Sequence, residues 1–335
     1  MPKVELHRHL DGSVRIETIW DLARQHGLDV SASSIEELRS RATILSPLKD
    51  LKTVLECFST LQKVLRSFEA LSRVTFENIE DAFRDGVKLV ELRFAPPFIA
   101  RGKTLSNDEI IGGVLDGLSR GMARYPVQVG LIGILPRSSP LEENARATHD
   151  LIRWKKGGAP NADRICGFDL ADRESDFDPE TLVPLVNDAR GAGMGITVHS
   201  GEDTDAARVE KTLDLYRPRR IGHGIRSWGS ARTMARLRGE NVLLEICPTS
   251  NWLTSAVPSL EEHPLPRLRG AGVPVCINSD DPHLMAIDLV HEYEICRKIY
   301  GFTDEDFLAM NKAALAASFL PEEIKAQVER THFSG

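Results

Sequence analysis

Histidines at positions 7 and 9 close a short apolar run, Val4-Glu5-Leu6-His7-Arg8-His9, and Leu10-Asp11-Gly12 follow. Three later runs end in similar chemistry: Ile196-Thr197-Val198-His199 with Gly201-Glu202, Ile221-Gly222-His223, and Val275-Cys276-Ile277-Asn278 ahead of Asp280-Asp281. In an extended strand, side chains two apart point to one face, so His7 and His9 can close on a single cation. One His-x-His motif says little; histidines and an aspartate at corresponding strand ends describe a cup around a divalent metal. Imidazole and carboxylate ligands suit a borderline ion such as Zn2+, one per chain, with an open position for water. Zinc lowers the pKa of that water to about 7 and so supplies hydroxide near neutral pH. Attack on an electrophilic carbon then needs a group that takes the water proton and an acid where charge develops. Glu202, three residues after His199, is placed to deliver a proton, and Gly201 lets the backbone turn closely. His223 is either a fourth ligand or the residue that orients the water. Adjacent Asp280 and Asp281 point in different directions, leaving one for the metal and one for a substrate.

These residues need strands to carry them. Apolar runs at residues 3–10, 87–95, 128–135, 164–170, 195–200, 220–224, 242–247 and 274–279 are mostly continuous rather than alternating, as in strands covered on both faces. Helical spacing occupies 16–25, 70–85, 108–124, 141–155, 179–192, 204–216 and 230–238, with Gly or Pro at many helix-to-strand passages. Strand-then-helix repetition with right-handed crossovers gives a parallel sheet, and eight repeats predict one α/β domain, a (β/α)8 barrel over residues 1–335. Extra helical pattern at 34–80, carried by Leu51, Leu55, Phe58, Leu61, Val64, Leu65 and Phe68, is inserted after the first strand, where it could cover the barrel mouth. Residues 283–330 read as helices that close the barrel.

Composition narrows the function. Of 335 residues, 41% are hydrophobic and 27% charged, with a net charge of −7, which argues against nucleic acid or anionic membrane as a partner. Apolar stretches are broken by charge well before the ~18 residues of a membrane span. The first strand begins almost at once, leaving no room for a signal peptide, and the five cysteines form no CxxC pair, so reduced thiols in the cytoplasm are expected. Glu91 and Arg93, alternating with Leu92 and Phe94, are expected to face the barrel interior as a buried ion pair. His26, His149, His263, His283, His291 and His332 read as surface or helix-end residues, and the four tryptophans as packing residues.

The chain resembles the adenosine deaminase family of metal-dependent hydrolases along nearly its whole length. The resemblance rests on Pro2 through Gly12, Thr197-Val198-His199-Ser200-Gly201-Glu202, Arg220-Ile221-Gly222-His223-Gly224, Cys247-Pro248-Thr249-Ser250-Asn251 and Asn278-Ser279-Asp280-Asp281-Pro282. Ser318-Phe319-Leu320-Pro321-Glu322-Glu323 also looks like the family's closing segment. The likeness implies His7, His9, His199 and Asp280 as ligands of one zinc. It implies Glu202 as proton donor to purine N1 while metal-bound hydroxide adds to C6, His223 to orient and help deprotonate the water, and Asp281 as partner of N7. The implied partners are a small purine nucleoside and water, and the implied products inosine and ammonia. Asp11 would meet a ribose hydroxyl; relatives acting on free adenine tend to carry Glu there, which favours a nucleoside. Phe58 and Leu61 are candidates for covering the purine ring. One departure stands out. Adenosine-specific members show Asp-Leu-Ala-Gly after the fourth strand, where the Gly backbone meets N3, and this chain has Asp169-Leu170-Ala171-Asp172. Asp172 leaves the deamination intact but reopens the choice among adenosine, adenine, aminodeoxyfutalosine and other 5′-modified adenosines. Amide or phosphoester hydrolysis in the same barrel is a rival; its two-metal forms need a bridging carboxylate or modified lysine on the fourth strand, which has no lysine here. A silent ligand-binding barrel would be expected to lose part of this residue set, and the chain keeps all of it.

Overall fold

A computed structural model describes residues 1–49 and 51–333 of the chain. The strands are β1 (Lys3–His9), β2 (Val87–Phe94), β3 (Gln128–Pro136), β4 (Ile165–Ala171), β5 (Gly195–Ser200), β6 (Arg220–His223), β7 (Leu243–Ile246) and β8 (Val275–Ile277). They pair in sequence order and in parallel, with helices between them, as a (β/α)8 barrel. Closure between β8 and β1 is partial. The Leu6 N–H donates to the Asn278 side-chain oxygen at 2.9 Å. Beyond it, the His9 N–H donates to Asp280 O at 2.8 Å and the Asp280 N–H to His7 O at 3.0 Å. The seam thus stitches the His7–His9 segment to Asp280. The last strand is shorter than the expected 274–279, because Asn278 spends its side chain on this junction and Asp280 turns away at φ 62°.

Between β1 and β2 lie α1 (Ile16–His26), α2 (Ile35–Ala42), α3 (Leu51–Val64) and α4 (Phe68–Arg84). α4 is the crossover helix, started by Ser67, whose hydroxyl accepts from the Ala70 N–H at 3.2 Å. α2 and α3 are the insertion. The segment joining them is tied across the mouth: the Ile44 N–H donates to Leu284 O at 2.7 Å and the Leu48 N–H to Leu253 O at 2.9 Å. The side chains of Leu51 and Leu55 lie outside the described residues. Phe68 is exposed rather than part of the apolar seam.

The opposite end is plugged by residues 318–320, between the helices Asp304–Ala317 and Glu322–His332. Arg220 lies over the Phe319 ring at 3.6 Å. Gly195 is required there, since a Cβ would fall within the Phe319 ring. Glu91 accepts from the Ser318 hydroxyl and the Phe319 N–H, both at 2.6 Å. The expected Glu91–Arg93 pair does not form. Glu91 meets Arg220 at 2.6 Å, and Arg93 meets Asp169 and Glu245, each at 2.7 Å. Side chains two apart on one strand run parallel and are offset by roughly 6.6 Å, so each finds a partner across the barrel more readily than the other. Among the described residues no helix is long and apolar enough to cross a membrane.

Candidate active site

The pleat of β1 turns His7 and His9 inward; His199 is the penultimate residue of β5, β6 ends in His223, and Asp280 lies just beyond β8. The ligating atoms of His7, His9, His199 and Asp280 all lie within 4.8 Å of one another. His7 Nε2 and His9 Nε2 stand 3.2 and 3.3 Å from Asp280 Oδ1, and His9 Nε2 faces His199 Nε2 at 3.3 Å. His7 Nε2 is buried and has no hydrogen-bond partner. Such convergence of acceptors around an orphaned nitrogen is costly in a dry interior unless a cation sits among them, so the residues fit a divalent metal. The second ring nitrogens are already committed: His7 Nδ1 to Glu245 at 2.8 Å and His199 Nδ1 to Asp169 at 3.0 Å. These carboxylates fix the tautomer that points Nε2 lone pairs at the centre. Burial lowers His199 to about 4 against the pull of Asp169, keeping it neutral, and drives His9 well below its ordinary value. For His7 burial acts the same way but Asp280 and Glu245 outweigh it.

Behind the histidines, Glu245 accepts from Arg93, Arg220 (Nε, 2.6 Å), His7 and Thr197 (3.1 Å). Burial would raise its carboxyl, but Arg93 and Arg220 hold it far below the usual range. Asp169 is held down likewise by His199 and Arg93 against burial. Neither carboxylate was given a role at the metal from the sequence, and Arg93 was expected only as the partner of Glu91. The available signal was an ionisable residue in an otherwise apolar strand, which must be paired if buried.

Three residues at the pocket have left-handed backbones: His223 (φ 58°), Asp280 (φ 62°) and Asp172 (φ 78°). Non-glycine residues held there cost free energy and cluster where function fixes a side chain's direction. At Asp172 the side chain offsets part of that cost by accepting from the Arg173 N–H at 2.7 Å, as short polar residues in this region can. Its carbonyl accepts from Arg137 at 2.7 Å. Asp172 therefore holds the left-handed backbone that glycine adopts most readily.

Glu202 is buried, with Oε1 accepting from Thr254 at 3.1 Å and Oε2 lying 3.5 Å from His223 Nε2. Burial, helped by Asp280 and Glu174 and opposed by His223, raises its pKa, so it can hold a proton. Glu174, unassigned in the sequence reading, fixes the Glu202 turn by accepting from the N–H groups of Gly201 (2.8 Å) and Glu202 (3.0 Å) and from the Thr204 hydroxyl (2.6 Å). Asp281 is pushed well above the carboxylate range by burial and by Asp280, Asp11 and Glu202. Gly12 makes room for it; any Cβ there would overlap the Asp281 carboxyl. Asp11 is raised to about 7 by burial.

These groups open into one cavity of about 420 Å3, lined by His9, His199, Glu202, Asp280, Asp281, Asp11, Asp172 and Phe58 among others. Phe58 and Phe98 meet edge-on at 6.1 Å over it. Leu61 is not brought to the cavity; it is buried in the core, about one turn further along α3 than Phe58. His263 also departs from expectation. It is buried, and its Nε2 lies 3.1 Å from Asn251 Oδ1, while Asn251 Nδ2 lies 3.0 Å from His223 Nδ1.

A family model described as adenosine deaminase matches residues 2–331. The chain is 34% identical over 322 residues to an adenosine deaminase of Shewanella loihica, covering 96% of this chain and 95% of that one. It is also 34% identical over 328 residues to an adenosine deaminase of Erwinia tasmaniensis, covering 98% and 97%. Among solved structures, an adenine deaminase from Arthrobacter aurescens superposes with a TM-score of 0.88 at 28% identity, covering 98% of this chain and 96% of that chain.

Proposed function

Because the chain belongs to the adenosine deaminase family, whose hydrolytic deaminases act on aminopurines, we propose that it converts adenosine and 2′-deoxyadenosine to the 6-oxo nucleosides and ammonia. The observation that carries this reading is the convergence of two buried carboxyls, Glu202 and Asp281, and a metal-fitting cluster on one cavity. Purine ring nitrogens are acceptors, and two buried acids offer them donors. Zn2+ held by His7, His9, His199 and Asp280 would bring the pKa of a water near 7. Glu202 gives its proton to N1 as the water oxygen bonds to C6, and its carboxylate then takes the proton that the water loses. The remaining hydroxyl proton passes to the 6-amino group, the C–N bond breaks, and ammonia leaves with that bond's electron pair. Asp281 donates to N7, Phe58 covers the ring, and Thr254 keeps Glu202 aimed.

A nucleoside is favoured over a free base by Asp11 in the cavity wall and by the adenosine deaminase relatives. A second reading, an adenosine extended at its 5′ position, is supported by Asp172, by Arg101 and Arg173 in the same cavity, and by a neighbouring basic cavity of about 850 Å3 that shares Arg101. Ammonia release measured on adenosine, 2′-deoxyadenosine, adenine, aminodeoxyfutalosine and 5′-thio adenosines separates them. Turnover of adenosine with loss of about 10²–10⁴-fold in a Glu202→Gln variant that keeps its zinc is expected. Reaction with adenine alone would overturn the sugar reading; two zinc ions per chain without ammonia from any aminopurine would favour the amide or phosphoester hydrolase.

A further inference from the structure

A chain of hydrogen bonds behind the cavity decides what His223 can do. It starts at the helix Leu265–Gly270, whose first N–H has no partner within the helix. The Leu265 N–H donates to His263 Nδ1 at 3.0 Å. A backbone N–H can only donate, so that nitrogen carries the lone pair and the His263 proton resides on Nε2. His263 Nε2 donates to Asn251 Oδ1 at 3.1 Å, which orients the amide with its NH2 toward His223. Asn251 Nδ2 then donates to His223 Nδ1 at 3.0 Å, leaving the His223 proton on Nε2. That nitrogen points toward Glu202 and Asp280, which line the cavity, at 3.5 Å from Glu202 Oε2 and 3.8 Å from Asp280 Oδ2. Every member is buried, so no solvent molecule competes for the links. Burial also lowers His263 to about 3, which keeps it neutral and able to accept from Leu265.

We propose that His263, acting through Asn251, locks His223 in the Nε2–H tautomer, so that His223 donates a hydrogen bond to the attacking water and does not take its proton. His223 has one lone pair, at Nδ1, and that is turned away from the cavity and occupied by Asn251. His263 and Asn251 are thus positioning residues for a group on the far side of the ring. This rests on the deaminase reading for the identity of the water's target, but the tautomer itself does not.

The test is nitrogen NMR of the zinc-loaded enzyme labelled with ¹⁵N-histidine, with the His223 signals assigned by their loss in His223→Gln. The expected pattern is a protonated Nε2 and an unprotonated Nδ1 in the resting enzyme. Asn251→Asp reverses the polarity, since a carboxylate accepts from Nδ1–H; the ring should switch tautomer and kcat fall by about 10²–10⁴-fold with little change in KM. His263→Gln retains one acceptor and one donor and should stay within about threefold of the parent. His263→Leu, which has neither, should lose the single tautomer and much of kcat. A proton on Nδ1 in the parent enzyme overturns the proposal, as does an Asn251→Asp enzyme that switches tautomer at full kcat. If no aminopurine releases ammonia while the Nε2–H pattern is present, the substrate reading fails and the lock stands.

Discussion

Replacing Glu245 with Gln removes one charge and almost no volume, and it should disturb the metal cluster without touching it. The carboxylate serves two donors on each oxygen: His7 and Arg93 on Oε2, Arg220 and Thr197 on Oε1. A glutamine has one carbonyl oxygen, so in either amide orientation its NH2 group faces two donors and at least one buried guanidinium loses its anion. Hydrogen bonds to charged groups contribute roughly 1.5–3 kcal/mol each, and breaking a buried ion network costs about 3–5 kcal/mol. Glu245→Gln should therefore destabilise the metal-free protein by about 3–5 kcal/mol, read from the denaturant midpoint at constant m-value. Because His7 exchanges a carboxylate for a neutral amide oxygen at best, and for an NH2 group in the other orientation, zinc affinity should fall by about 10–100-fold, measured by competition against a chromogenic chelator. A variant with unchanged midpoint and unchanged zinc affinity would refute the claim that Glu245 couples the arginine network to His7.

Three further outcomes are expected. Removing zinc with a chelator should abolish ammonia release, and restoring it should return activity, while the metal-free protein melts at lower temperature because a ligand bound only by the folded state is lost. Gly195→Ala should force Phe319 from its seat on the barrel floor and cost about 1–3 kcal/mol of stability without changing KM, checked by thermal melts and steady-state kinetics. Glu292 is fully buried and raised to about 8 by burial. A folded pKa above the unfolded value stabilises fully below the unfolded pKa, near 4.3, and that contribution is lost as pH rises toward the folded value. Glu292→Gln should thus gain stability relative to the parent between pH 5 and about 8 and level off above, followed by urea unfolding across that range.

Much of the barrel was legible because its strands are continuous apolar runs ended by polar residues, a pattern set by local chemistry. Strand ends moved by a residue or two, and the largest change, at β8, came from Asn278 and Asp280 being drawn into the seam with β1. Phe58 reached the cavity and Leu61, one turn further along the same face, did not; helical spacing offers both, and only the seating of α3 on the mouth decides which turn meets the opening. His263 looked like a helix-end residue, and it does sit just before a helix; nothing local says that this helix start is buried against Asn251.

From residue types and a period of two, the chain alone specified which donors could gather: His7 and His9 on one face, then His199, His223 and Asp280 at later strand ends. Whom each of them answers to was decided by barrel closure. Glu245 is 238 residues from His7, and Arg93 crosses the barrel to Asp169 and Glu245 rather than to its strand neighbour Glu91. Buried charges must find partners wherever the closed sheet brings them within reach, and that geometry is a property of eight strands together, not of any one.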